Sequence, residues 1–180
     1  MISFENISFS VAGRTLVKNS TVSIPNGHKV GLVGKNGTGK TSLFRLIYGE
    51  ITLDQGNLKL SKNAQIGGVS QEAPGSSVTL LDTVLASDRE RVDLLQKAEE
   101  EKDPLKIAEI QTRLVDIDAW SAEARASTIL NGLGFDKHKQ RLACSEFSGG
   151  WRMRVALAAV LFSKPDLLLL DEPSNYLDLE

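Results

Sequence analysis

A single cysteine, Cys144, occurs in 180 residues, which excludes an internal disulfide framework and a cysteine zinc site. One small thiol of this kind fits a reducing compartment and a place near the core. An excess of either charge is lacking too, since 21 Lys and Arg stand against 23 Asp and Glu for a net charge of -2. The chain as a whole attracts no polyanion, so any nucleic-acid contact must come from a local patch. No apolar run approaches the roughly 20 residues of a membrane span. Met1 leads into an alternating segment without the basic flank and apolar core of a signal peptide. Low-complexity stretches and long-period repeats are absent. What is present is a composition of 41% hydrophobic and 24% charged residues, close to the globular average. The length suits one domain with room for an inserted subdomain, and the chain reads as soluble and cytoplasmic.

Ile2, Phe4, Phe9 and Val11 recur with partial period-two spacing, followed by a turn at Gly13-Arg14 and a stretch at Val22–Ile24 before Pro25-Asn26-Gly27. This predicts an antiparallel meander of short strands. Val30-Gly31-Leu32-Val33 reads as a buried strand that runs into a glycine-rich loop and then a helical pattern from Thr41 to Ile47. Leu58–Leu60 and Ile66–Val69 are two further short strands, and Leu167–Leu170 has the length and apolarity of a central parallel strand. Between these sheet halves the pattern is helical. Thr79 with Asp82 resembles a capping box, and Val84, Leu85, Val92 and Leu95 supply an apolar stripe up to Glu99-Glu100-Glu101. Asp103-Pro104 has the form of an N-cap and first helical residue. The helix that follows would bury Ile107, Ile110, Leu114 and Ile117, and another runs from Ser121 to Gly132-Leu133-Gly134. From Asp88 to Arg125 eleven acidic side chains face seven basic ones, as expected of solvated helix faces.

Gly34-Lys35-Asn36-Gly37-Thr38-Gly39-Lys40-Thr41, continued by Ser42, fits G-x-x-x-x-G-K-[ST]. Between a strand and a helix such a loop aims backbone N–H groups and the positive helix end at phosphate. Its glycines allow close approach, Lys40 reaches the β- and γ-phosphate oxygens, and the Thr41 hydroxyl is a ligand for Mg²⁺. The Leu167–Leu170 run delivers Asp171 and Glu172 at its end, where open α/β sheets place ligands. Asp171 is the candidate Mg²⁺ holder and Glu172 the candidate general base toward water. Ser148-Gly149-Gly150-Trp151 opens an apolar helix from Met153 to Phe162, a second potential phosphate site. One phosphate loop needs only one such site, so the second suits a nucleotide held by another domain.

The order of these motifs, with Gln71 between them and Asp171-Glu172-Pro173 at the end, closely resembles the ATP-binding cassette (ABC) ATPases along nearly the whole chain. The resemblance implies an α/β P-loop nucleotide-binding domain with an N-terminal antiparallel meander and an inserted helical subdomain. It divides as 1–75 for the meander and P-loop core, 76–162 for the helical and signature part, and 163–180 for the Walker B strand and D-loop. It implies that Gln71 touches Mg²⁺ and the lytic water, that Ser148 to Gly150 form the signature, and that Asp178 is the D-loop aspartate. Phe9 matches the aromatic that stacks on adenine, though as a strand residue it is equally suited to a core. Trp151 with Arg152-Met153-Arg154, and Asp118-Ala119-Trp120-Ser121 leading to Leu130-Asn131-Gly132-Leu133-Gly134-Phe135, resemble the ABC-F branch. Ser174-Asn175-Tyr176-Leu177-Asp178 departs modestly from that branch. The resemblance then implies ATP and Mg²⁺ as cofactors, a second cassette in the same chain, a ribosome or RNA partner, and no membrane domain.

The alternative parent is the ATP-binding subunit of a membrane transporter, and a third reading is a binding module without turnover. Neither His28 nor His138 sits where the family's switch histidine would. The start at Met1 and the stop at Glu180 suggest the N-terminal part of a first cassette. Lys137, Lys139, Arg141, Arg152 and Arg154 are either ordinary surface charge or contacts to RNA phosphate.

Overall fold

The computed structural model describes residues 1–62, 64–69 and 75–172. The chain divides into two compact units, Met1–Ile66 and Gly67–Glu180. In the first, β1 (Ile2–Val11) and β2 (Arg14–Ile24) form an antiparallel hairpin, and β3 (Gln55–Leu60) pairs antiparallel with the other edge of β1. The tight turn uses Ala12 and Gly13, both at positive φ, as a two-residue hairpin loop requires. Ile2, Phe4, Ile7 and Phe9 are buried. Those positions change parity after Phe4, and the structure gives the reason. Asn6 adopts φ 48° and the β1–β2 register slips between Phe4 and Ile7, so a bulge shifts the alternation by one residue and returns Ile7 and Phe9 to the core face. Thr21 fastens the bulge: the Asn6 N–H donates to Thr21 Oγ1 at 2.9 Å, and the Thr21 hydroxyl donates to Asn6 Oδ1 at 3.0 Å. Helix α1 (Lys40–Ile47) contributes buried Leu46 and Ile47.

The second unit is mainly helical: α2 (Leu80–Leu85), α3 (Arg89–Glu100), α4 (Pro104–Asp116), α5 (Ala122–Gly132) and α6 (Gly149–Phe162). Each early helix begins where its cap residue dictates. Thr79, Asp88 and Asp103 accept hydrogen bonds from the N–H groups of Asp82, Arg91 and Leu105, satisfying donors that a helix start otherwise leaves open. The apolar stripe expected from Val84 to Leu95 is therefore two helices, because Asp88 starts a new one. The α4 face expected from its spacing is the one turned inward, with Leu114 buried and Ile107, Ile110 and Ile117 half-buried. Arg113 of α4 donates to Glu90 of α3 at 2.7 Å, tying the acidic pair of helices together. The core is built from α2, α5 and α6 through Leu80, Val84, Ala122, Ala126, Leu130, Val155, Ala158 and Phe162, with Phe135 and Cys144 between them. A two-stranded sheet joins β4 (Ile66–Gly68) to β5 (Leu167–Leu169). Gly67 is required there, since a Cβ would lie 2.7 Å from Pro165 Cγ.

One expectation is corrected. Val30 to Val33 is not a buried strand: it carries no strand pairing among the described residues, and Val33 is 94% exposed. Apolarity alone does not make a strand, which needs ladder partners for its N–H and C=O groups. The Leu167–Leu170 run does pair, but as a three-residue strand with one neighbour among the described residues.

Candidate functional site

The P-loop lies in the first unit. Gly37 and Gly39 have φ of 77° and 101°, conformations that side chains disfavour. A Cβ on Gly34 would come within 2.8 Å of Thr38 Oγ1, and one on Gly39 within 2.9 Å of Leu16 Cδ1. Leu16 of β2 is thus the floor of the loop, a role no motif announces. The loop closes on itself through Lys35, whose carbonyl accepts from the Thr38 hydroxyl at 2.8 Å and from Lys40 Nζ at 3.1 Å. Lys40 Nζ also donates to the Gly34 carbonyl at 2.8 Å. The ammonium is therefore held at the centre of the turn by main-chain oxygens, poised above the start of α1. No side chain caps that start. Gly34, Lys35, Asn36, Gly37, Thr38 and Thr41 are exposed, while Gly39, Lys40 and Ser42 are half-buried. A glycine-rich loop, with a lysine and a helix N-terminus on one spot, fits a polyphosphate.

The signature and the acidic pair lie in the second unit. Ser148 is the N-cap of α6 without a side-chain bond, and Gly149 and Gly150 face open space. All three are exposed. Asp171 is half-buried and follows β5 directly, and Glu172 is exposed with φ 47°. Gln71 and Asp178, with Ser174 to Leu177, lie outside the described residues. Toward a magnesium ion the first unit offers the Thr41 hydroxyl, and the second unit, taken by itself, the Asp171 carboxylate. Both are hard oxygen ligands of the kind Mg²⁺ takes while keeping several waters. Among the described residues no group of three His, Cys, Asp or Glu side chains gathers into a metal cage.

Phe9 is where the sequence allowed two outcomes, and burial favours the core. Its ring has no exposed surface and its Cα pairs with Val17 of β2, so in this structure it presents no face on which a base could stack. Trp151, in contrast, is more than a family marker. It packs edge-on against Phe135 at 5.1 Å and 67°, with the Arg154 guanidinium 4.6 Å and the Lys139 ammonium 5.3 Å from its ring centre. These two cations, which the sequence offers as surface charge or RNA contacts, are engaged with an indole. Arg152 approaches Gly75, where a Cβ would stand 3.2 Å from the guanidinium.

Residues 17–175 match the protein family described as ABC transporter. The chain belongs to the ATP-binding cassette family. Within this family its sequence is most instructive beside ABC-F members. It is 44% identical over 183 residues to the probable ATP-binding protein YheS of Escherichia coli K12, covering all of this chain and 29% of that protein. It is 41% identical over 189 residues to human ATP-binding cassette sub-family F member 3, covering 99% of this chain and 26% of that one. The cassette therefore spans a little over a quarter of the length of these relatives. Among solved structures, a dimeric bacterial ABC transporter cassette aligns with TM-score 0.64 at 20% identity, over 99% of this chain and 76% of its own. An inward-facing metal-chelate type ABC transporter gives 0.64 at 23%, over 99% and 62%. These two likenesses establish the α/β fold of an ABC ATPase domain. No helix among the described residues is long and apolar enough to cross a membrane.

Proposed function

We propose that this cassette binds MgATP at Gly34–Ser42 and takes part in its hydrolysis within a two-cassette protein of the ABC-F type that acts on the ribosome. The observation that carries the nucleotide reading is the P-loop turn, with Lys40 held over an open helix start by the Gly34 and Lys35 carbonyls. A triphosphate gives this ammonium and the loop amides a stronger acceptor than main-chain carbonyls, since charge-assisted hydrogen bonds are roughly twice as strong as neutral ones. In the reaction a water attacks the γ-phosphorus, its proton passes to Glu172, and ADP leaves. Lys40 and the amides stabilise the charge on the transferring oxygens. Thr41, Asp171 and Gln71 are the residues that would hold magnesium, and the ion would supply further charge neutralisation. Ser148, Gly149 and Gly150 then meet the γ-phosphate of a nucleotide on the facing cassette.

The ribosomal role rests on the branch resemblance, in which Trp151 follows the signature and the relatives carry ABC-F names. A cytoplasmic location goes with it. The transporter reading draws on fold likeness at 16 to 23% identity, a weaker warrant than 41 to 44% along the whole chain. In the full-length protein, Glu172→Gln should keep ATP binding and slow turnover by about 10²-fold, the size of a lost general base. With ATP that variant should co-sediment with ribosomes through a sucrose gradient. Recovery only in free or membrane fractions, at low and moderate salt, defeats the ribosomal reading. Wild-type turnover by the variant removes Glu172 from the role of base.

A further inference from the structure

We infer that Phe135 is the positioning residue of the signature, acting through two aromatic side chains that bracket it. The inference rests on the two-cassette reading above. Ser148-Gly149-Gly150 is the start of α6, where the Ser148 carbonyl accepts from the Arg152 N–H at 2.9 Å and helix hydrogen bonds set the local conformation; beyond that it has no side-chain cap, no Cβ on two of three residues, and open space around both glycines. The helix fixes the shape of this segment, but its side chains anchor it to nothing outside, and glycine is the residue with most backbone freedom to lose, so the placement of this helix start rests on its flanks. The flanking residues are Phe147 and Trp151, and both pack edge-on against one ring. Phe147 meets Phe135 at 5.7 Å and 80°, and Trp151 meets it at 5.1 Å and 67°. Phe135 is fully buried and its own backbone is fixed at both groups. Its N–H donates to the Leu130 carbonyl at 3.0 Å, and its carbonyl accepts from the buried Gln140 amide at 2.8 Å.

The outer side of the bracket is closed as well. Arg154 and Lys139 lie over the Trp151 ring, and the indole edge lies at contact distance of Gly134, whose φ is 91°. The helix start that carries the three signature residues is thus flanked by two posts packed on the same buried ring. Edge-to-face pairs have a preferred geometry, so the posts fix a direction for the amides as well as a position. The ligand served is the terminal phosphate of a nucleoside triphosphate on the facing cassette.

The test uses the full-length protein in a Glu172→Gln background, with fluorophores on the two cassettes reporting ATP-driven closure by energy transfer. Losing one aromatic pair should move the ATP midpoint of closure upward by about tenfold in Trp151→Ala at full amplitude, and Trp151→Phe should restore most of it. Binding of a fluorescent ATP analogue to this cassette's own P-loop should stay within about twofold, because the bracket serves the other nucleotide. Phe147→Ala should repeat the shift, which keeps the test decisive if Trp151→Ala folds poorly. A fall in amplitude at unchanged midpoint in both alanine variants means that the aromatics contribute only to folding, and overturns the inference. Absence of ATP-driven closure in the Glu172→Gln parent would instead sink the two-cassette reading itself.

Discussion

A methyl group added at Gly56 would sit 2.4 and 2.5 Å from the Glu5 and Asn6 carbonyl oxygens, at a residue whose φ of 85° already disfavours a side chain. Both obstacles are backbone, so no rotamer relieves them. Gly56→Ala should destabilise the protein by about 2–4 kcal/mol, read as a lower urea midpoint at unchanged slope. A change below about 0.5 kcal/mol would mean the bulge at Asn6 can relax, which contradicts the register described for β1. Gly56 carried no signal in the sequence, because the bulge it faces shows only as a change of parity between Phe4 and Ile7. The P-loop glycines were legible for the opposite reason: their spacing before Lys40 states a chemistry. Phe9 fell between these cases, since an aromatic on a strand suits a base and a core equally until burial decides.

At the scale of elements, caps did most of the predicting. Thr79, Asp103 and Pro104 marked helix starts from sequence, whereas Asp88 was hidden inside what looked like one apolar stripe. Short loops are fixed by similar side chains. Asp136 accepts from the Lys139 and His138 N–H groups at 2.9 Å each, ordering the turn between Phe135 and the 3-10 segment Lys139–Arg141. Chiefly the Lys139 amide, with that of His138, holds the Asp136 carboxyl below its usual value. Its folded pKa is thus lower than its unfolded one. The stabilisation it gives is complete above the unfolded value of about 4 and is lost as pH falls through the lowered folded value. Asp136→Asn should therefore flatten the acid limb of the stability curve below about pH 4 while leaving the shape near neutrality unchanged. Coincident acid limbs in denaturant titrations would show that the turn forms without the carboxylate. Val30–Val33 has the composition of a strand without being one for a reason of the same kind: a helix carries its partners within its own span, and a strand borrows them from distant chain.

For the whole molecule, the two units hold different parts of the proposed chemistry, the phosphate loop in Met1–Ile66 and the signature with Asp171 and Glu172 in Gly67–Glu180. The order of those parts was readable from sequence, and the packing of each unit was not. Ligand linkage tests the first unit in its intact setting. At a free MgATP concentration 100 times its dissociation constant, the protein should gain about 2.7 kcal/mol of stability. In Lys40→Ala the same concentration should give almost none. An equal gain in calorimetric scans of both would take Lys40 out of nucleotide binding. One feature of the first unit bears on handling the protein at concentration. Val30, Leu32 and Val33 are bare, β-prone and uncharged, the composition that seeds intermolecular strand pairing. Lys29 and Lys35 stand on either side of them, where like charges on two approaching copies repel. The lysines act as gatekeepers against self-association, a protection that weakens as salt screens them, so turbidity should rise with ionic strength before it rises with protein concentration.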